Sequence, residues 1–160
     1  MHLAAESHVD KSIASPQIFL ESNFLGTFNL LESLRSCKDV RSVVIVTSDK
    51  VYENQNLIRG YNEKDSLGGH DPYSSSKAAC EIAISSWRSS FCEVLNNKEP
   101  LLRIASARSG NVIGGGDWSV NRIIPDCVLK WSQKKTLKIR NPNSTRPWQH
   151  IFDVITGYAI

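Results

Sequence analysis

Tyr73 and Lys77 stand four residues apart in the run Tyr-Ser-Ser-Ser-Lys. On a helix that spacing puts a phenol and an ammonium on one face, within mutual reach. A neighbouring cation favours the phenolate and lowers the phenol from its ordinary pKa of about 10, which equips it as a base near neutrality. Upstream, the run Thr47-Ser48-Asp49-Lys50 sets a hydroxyl, a carboxylate and an amine in three successive positions. Singly, each of these groups reads as an ordinary surface residue. Together, as a cluster 23 residues before Tyr73, they are better read as acid and base groups.

The elements around these residues decide whether they meet. Ser42 to Thr47 is a continuous β-branched run, the pattern of a parallel strand covered on both faces. The Ser48-Asp49-Lys50 trio therefore sits at its carboxyl end, where open α/β sheets place their sites. A polar loop of about 25 residues, Ser48 to Asp71, follows, and loops of that length in a compact domain are usually functional. A helix is expected from Tyr73 to Leu95 with Ala79, Ile82, Ala83, Trp87 and Phe91 on its apolar face. Before the strand, Phe19, Leu20, Phe24, Phe28, Leu31 and Leu34 recur at helical spacing from Ser15-Pro16 to Ser36, with Pro16 suited to the first turn. Gly26 inside that helix costs about 1 kcal/mol relative to alanine, so a close approach is expected there. Beyond Pro100 we expect a strand from Leu101 to Ala107, a glycine-rich turn from Gly110 to Asp117 and a helix from Ile123 to Gln133. A strand from Leu137 to Arg140 and a strand-helix from Trp148 to Ile160 complete the series, and Trp87, Trp118, Trp131 and Trp148 are expected to pack. Helix and strand in alternation make an α/β layered sheet.

Composition narrows the function classes. Net charge is +3 from 19 basic and 16 acidic side chains that are scattered along the chain, which gives no footprint for nucleic acid. Cys37, Cys80, Cys92 and Cys127 form no CxxC pair and have no histidine pattern for zinc, so free thiols and no metal are expected. No apolar run approaches membrane-spanning length and the start has no signal-peptide form, so the expected location is the cytoplasm, with no membrane partner.

The ordered series His2-Leu3-Ala4-Ala5, then Asn23 with Gly26-Thr27 and Asn29-Leu30-Leu31-Glu32, then Thr47 to Lys50, then Tyr73 with Lys77, resembles the extended short-chain dehydrogenases/reductases. Within that superfamily, Thr47-Ser48-Asp49-Lys50, Gly68 to Tyr73, Gly110 to Trp118, Pro125-Asp126, Arg140 to Asn143 and Arg146 to His150 resemble the CDP-glucose 4,6-dehydratases. The resemblance runs through nearly the whole chain. It implies a Rossmann-type doubly wound parallel sheet, NAD as cofactor and a nucleotide sugar, CDP-glucose, as substrate. It also implies a homodimer built through the helix faces around Phe24 to Leu34 and Ile82 to Phe91, and a product used in deoxysugar and surface-polysaccharide synthesis.

The mechanism it implies begins with Tyr73, supported by Lys77 and Ser48, deprotonating the sugar 4-hydroxyl as hydride leaves carbon 4. The ketone so formed acidifies carbon 5. A base then removes that proton, Asp49 protonates the departing 6-hydroxyl, and hydride returns to carbon 6. Lys50 stands where the related dTDP-glucose dehydratases have a glutamate base, and it can take that role only with a pKa well below about 10.4. By the same resemblance Leu3, Ala4, Ala5 and Asn23, with Tyr73 and Lys77, line the cofactor. Asn111, Arg122 and Arg146 hold the substrate, arginine forks suiting a diphosphate.

The sequence contains no glycine-rich turn of the kind that seats a dinucleotide pyrophosphate on a helix N-terminus. Residues 1–160 are accordingly read as a partial NAD(P)-binding domain, the second half of the doubly wound sheet without its first strands. Residues of roughly 111–150 begin the substrate-binding lobe. A chain of this extent is expected to bind NAD weakly and to be marginal as a free domain. Two alternatives stay open: a nucleotide-sugar epimerase with the same tyrosine and lysine, and a non-catalytic truncated product that packs with an intact subunit.

Overall fold

The structure of the chain, a computed structural model, describes residues 1–92 and 102–160. It divides into two units, Met1–Ser109 and Gly110–Ile160.

In the first unit α1 (Val9–Ala14) leads into α2 (Pro16–Phe19), a π-helical segment (Leu20–Leu25) and α3 (Gly26–Leu34). Pro16 occupies the first turn of α2, where its missing N–H costs nothing. Gly26 makes no close approach: a methyl there would meet only the Glu21 carbonyl, at an ordinary 3.7 Å. It begins the α-helical turns that follow the π segment instead. β1 (Ser42–Val46) carries four β-branched residues in five, with Val43 and Ile45 buried. It pairs in parallel with β2 (Arg103–Ala107), Ser42 opposite Arg103 and Val46 opposite Ala107. On its other edge His2 bridges to Ile45 in parallel, through His2 N–H to the Val44 carbonyl at 2.8 Å and Val46 N–H to the His2 carbonyl at 3.0 Å. Rossmann-like α/β layering is therefore present as expected, with β1 flanked on both sides.

α4 (Pro72–Phe91) is started by Asp71, whose carboxylate accepts from Ser74 N–H at 2.9 Å and from the Ser74 hydroxyl at 2.7 Å. Gly69 lets the preceding loop pass this turn, since a Cβ there would lie 2.5 Å from the Ser75 nitrogen. The expected end of the helix at Leu95 and the expected strand start at Leu101 lie outside the described residues. The buried face of α4 differs in part from the expected one: Ala83 is buried and Trp87 packs against the core as expected, but Ile82 is 62% and Phe91 48% exposed, while Tyr73, Ser76, Lys77, Cys80, Glu81 and Ile84 are buried. Leu31, Leu34, Val43, Ile45, Ile84 and Ile104 form the centre of the apolar core beneath the sheet, each worth about 1.5–3 kcal/mol when fully buried.

In the second unit β3 (Asn111–Ile113) pairs in parallel with β4 (Trp148–His150), and α5 (Ile123–Ser132) and α6 (Ile151–Ala159) complete it. The expected glycine-rich turn thus begins as a strand, and turns only around Gly115 and Gly116, where Gly116 takes φ +90°. Gly110 lies against Pro147, whose Cγ would be 2.3 Å from a Cβ. The expected strand from Leu137 to Arg140 is absent. Its alternating Leu and Ile have strand propensity but find no partner strand. Trp118, Trp131 and Trp148 are exposed rather than packed, whereas Trp87 meets Phe28 edge-on at 5.1 Å. All four cysteines are free thiols. Among the described residues no helix is long and apolar enough to cross a membrane.

Candidate active site

The carboxyl end of β1 runs through buried Thr47 and Ser48 into a 3-10 turn, Asp49–Val51. Ser48 caps that turn: its hydroxyl accepts from Lys50 N–H at 3.2 Å and donates to the Asp49 carboxylate at 3.2 Å. Asp49 is held again by its own N–H to the Ser109 carbonyl at 3.0 Å. Val51 is fully buried and anchors the turn, while the Asp49 carboxylate is half-buried and Lys50 is exposed. The local fold therefore fixes the backbone of the trio and leaves the acid and the amine accessible.

The first two turns of α4 face this strand end. Tyr73 is 8% exposed, with its ring edge-on to Phe19 at 6.3 Å. The Lys50 ammonium lies over the same ring, 5.8 Å from its centroid. Lys77 is 5% exposed and donates from Nζ to the Val46 carbonyl at 3.0 Å, the last residue of β1. Burial draws its pKa down from the ordinary lysine value, and the neighbouring Cys80 and Glu81 work in the opposite direction. Ser48, Asp49, Lys50, Tyr73 and Lys77, singled out from spacing and resemblance, are thus gathered at one end of one strand.

Leu3, Ala4 and Ala5 leave the sheet just after His2 and are exposed. Asn23, expected to line the cofactor, has a fully buried side chain whose amide is engaged within the chain. Its Oδ1 accepts from Glu6 N–H at 2.8 Å, and its Nδ2 donates to the Glu6 carbonyl at 3.1 Å and to the Ser76 hydroxyl at 2.9 Å. Ser76 in turn donates to the Tyr73 carbonyl at 2.7 Å, and the Cys80 thiol donates to the Asn23 carbonyl at 3.2 Å. Asn23 therefore clamps the segment after Ala5 to the first turns of α4. It sits in the π-helical segment, a local distortion that recurs at functional sites.

A second buried cluster was not anticipated from the sequence. Glu81 accepts from the Thr47 hydroxyl, from Ser106 at 2.8 Å and from both arms of Arg108 at 2.9 Å each. Burial opposes its ionisation, yet the Arg108 fork and the two hydroxyls outweigh it and hold the carboxyl below its ordinary value. The available signal was the four-residue spacing from Lys77. Its partner 27 residues further on had none.

The residues expected to hold substrate lie in the second unit. Asn111 opens β3 opposite Trp148 and donates its N–H to the Pro147 carbonyl at 3.1 Å. Arg146, two residues before β4, is exposed and donates from Nη1 to the Thr145 carbonyl at 2.7 Å. Arg122 is half-buried at the N-cap of α5, its carbonyl accepting from Asp126 N–H at 2.9 Å. Asn111 and Arg146 thus lie near the starts of two paired strands, and Arg122 belongs to a different element of the unit.

Comparison with known proteins places this arrangement in a family. The GDP-mannose 4,6 dehydratase family model matches residues 1–160. The chain belongs to that family. Among the family's relatives it is 41% identical to the CDP-glucose 4,6-dehydratase of Salmonella typhimurium over 159 residues, which is 99% of this chain and 44% of that protein. It is 33% identical over 171 residues to the dTDP-glucose 4,6-dehydratase of Escherichia coli, covering 96% of this chain and 44% of that one. The crystal structure of DesIV, a dTDP-glucose 4,6-dehydratase from Streptomyces venezuelae with NAD and TYD bound, superposes with a TM-score of 0.82 at 30% identity. That match covers 99% of this chain and 46% of DesIV. This member of the dehydratase family therefore spans a little under half the length of the relatives it matches.

Proposed function

We propose that the chain carries the acid–base machinery of a CDP-glucose 4,6-dehydratase, which converts CDP-glucose to CDP-4-keto-6-deoxyglucose. The observation that carries this reading is the Lys50 ammonium over the Tyr73 ring at 5.8 Å, which joins the strand-end trio to the phenol and its lysine. Tyr73 takes the proton of the sugar 4-hydroxyl, and buried Lys77 holds positive charge one turn away to favour the phenolate. Ser48, whose hydroxyl lies beside the Asp49 carboxylate, orients the 4-oxygen. Lys50, as the free amine, removes the carbon 5 proton once carbon 4 is a ketone, Asp49 delivers a proton to the departing 6-hydroxyl, and Lys50 then returns its proton to carbon 5.

NAD fits the part of the site present here. Leu3, Ala4 and Ala5 are small or apolar, exposed and at a strand end, as a flat ring requires, and Tyr73 and Lys77 would meet its ribose. No G-x-x-G-x-x-G turn occurs in the sequence, so these residues would hold the nicotinamide end only. When bound, NAD supplies a reversible hydride acceptor. In the same proposal residues 111–150 serve the substrate, with Arg146 and Arg122 meeting the diphosphate and Asn111 the sugar or first phosphate. The protein works in the cytoplasm as a homodimer that uses the exposed Leu25, Phe28, Ile82 and Phe91 of α3, α4 and the π segment, and its product enters deoxysugar and lipopolysaccharide synthesis.

The test uses the protein expressed from its own gene and supplied with NAD. Incubation with CDP-glucose yields a 4-keto-6-deoxy product by NMR, and light scattering of the same sample gives twice the chain mass. Preference for a different sugar nucleotide, or a product epimerised at carbon 4, assigns the site to another member of the family. An epimerase uses the same tyrosine and lysine but has no need of Asp49 or Lys50, which favours elimination. Lys50→Met abolishes solvent-deuterium exchange at carbon 5 of the keto intermediate while Tyr73 still oxidises carbon 4. Exchange at the parental rate removes Lys50 from the mechanism.

A further inference from the structure

Glu81 follows Lys77 by one turn of α4, the i,i+4 spacing at which a lysine and a glutamate on a helix attract each other. Here Lys77 donates instead to the Val46 carbonyl at 3.0 Å. The Glu81 oxygens accept from Thr47 at the end of β1, from Ser106 in β2 and from the Arg108 fork just beyond β2. Four donors complete the acceptor capacity of a carboxylate. We propose that Arg108 is a positioning residue for the Tyr73–Lys77 pair: by filling the Glu81 carboxylate, it keeps that carboxylate from capturing the Lys77 ammonium. The proposal rests on the reading of Tyr73 and Lys77 given above, but its first measurement does not.

Glu81 is buried and Arg108 largely so, their side chains 4% and 16% exposed. A buried carboxylate stripped of its cation is strongly destabilised and takes whatever cation is within reach. Lys77 is that cation. Drawn toward Glu81, its ammonium would leave the Val46 carbonyl and the phenol side of the helix. Arginine suits the place because its planar fork spans both oxygens, which an ammonium does not. Arg108 also stacks its guanidinium over Tyr52, 4.9 Å from the ring centroid, so the same residue steadies the segment leaving Lys50. The titratable groups around Lys77 are His2 beside β1, Tyr73, Cys80 and Glu81 on α4, and Arg108 behind Glu81. Of these only Glu81 has its charge released by removing Arg108.

The experiment follows the Lys77 ammonium directly, by NMR of lysine labelled with nitrogen-15 at Nζ and assigned with Lys77→Arg, alongside turnover of CDP-glucose by the protein expressed from its own gene. In Arg108→Met, Lys77 keeps its proton to higher pH than in the parent. Turnover drops about tenfold or more while KM stays within about twofold, the split expected when a group is misplaced for the chemical step. Adding Glu81→Gln to Arg108→Met returns both readings toward the parent, which a merely structural role for Arg108 would not do. Arg108→Lys keeps the cation without the fork, lies between, and carries the comparison should Arg108→Met fail to fold. A Lys77 titration that does not move in either single variant, or a double variant no better than the single, overturns the proposal. Should the parent turn over no nucleotide sugar, the functional reading falls and the Lys77 titration alone decides the role of Arg108.

Discussion

Replacing Tyr73 with phenylalanine is expected to lower turnover of CDP-glucose by about 10²–10⁴-fold, the range a positioned general base supplies, while KM changes little. The substitution keeps the ring that packs on Phe19 and faces Lys50, so the fold should survive and the loss report on the hydroxyl alone. Stopped-flow absorbance separates the step. With the phenol gone, the sugar 4-hydroxyl keeps its proton and no transient reduced nicotinamide appears on mixing. Turnover within about fivefold of the parent, in a variant that melts normally, would remove Tyr73 from the chemistry and with it the reading of the strand-end trio.

Asp49→Asn divides the reaction at a later point and should cost about as much, again about 10²–10⁴-fold. Asparagine keeps the acceptor that meets the Ser48 hydroxyl at 3.2 Å, and the backbone bond to Ser109 is untouched. On the proposed reading, only the proton for the departing 6-hydroxyl is lost. Oxidation at carbon 4 therefore proceeds, reduced nicotinamide persists instead of decaying, and carbon 5 continues to exchange with solvent because Lys50 is intact. The two variants thus stop on opposite sides of the ketone. Rapid formation of the 6-deoxy product by Asp49→Asn would mean that another group protonates the leaving oxygen.

Most of what positions the site could be read from local chemistry. Val43 to Val46 announced a buried parallel strand, Asp71-Pro72 announced the start of α4, and the four-residue step from Tyr73 to Lys77 announced a shared face. The apolar face of α4 was misread for a physical reason. Its inward side carries Ser76, Lys77 and Glu81, polar groups that are buried because distant partners satisfy them, and a hydrophobic period puts such residues outside. Leu137 to Arg140 failed in the opposite sense, since strand propensity without a neighbouring strand leaves the chain irregular. Asn23 was singled out by the resemblance, but its ties to Glu6 and Ser76 depend on contacts 17 and 53 residues away. The cluster of Thr47, Glu81, Ser106 and Arg108 is of the same kind. Thr47 lay in the strand-end run and Glu81 stood one turn from Lys77, but nothing local marked Ser106 and Arg108 as their partners.

The widened turn at Leu20–Leu25 makes the length of this helix part of its meaning. Each residue turns an α-helix by about 100°, so a relative lacking one position between Ile18 and Phe28 could wind regularly through the same span and still reach the same end point. The Asn23 amide would then point elsewhere, and the segment after His2 would lose its tie to the helix that bears the phenol. A gap of one in this stretch is therefore a change in what the helix holds, written as a change of count and invisible to any comparison that scores only which residues are shared.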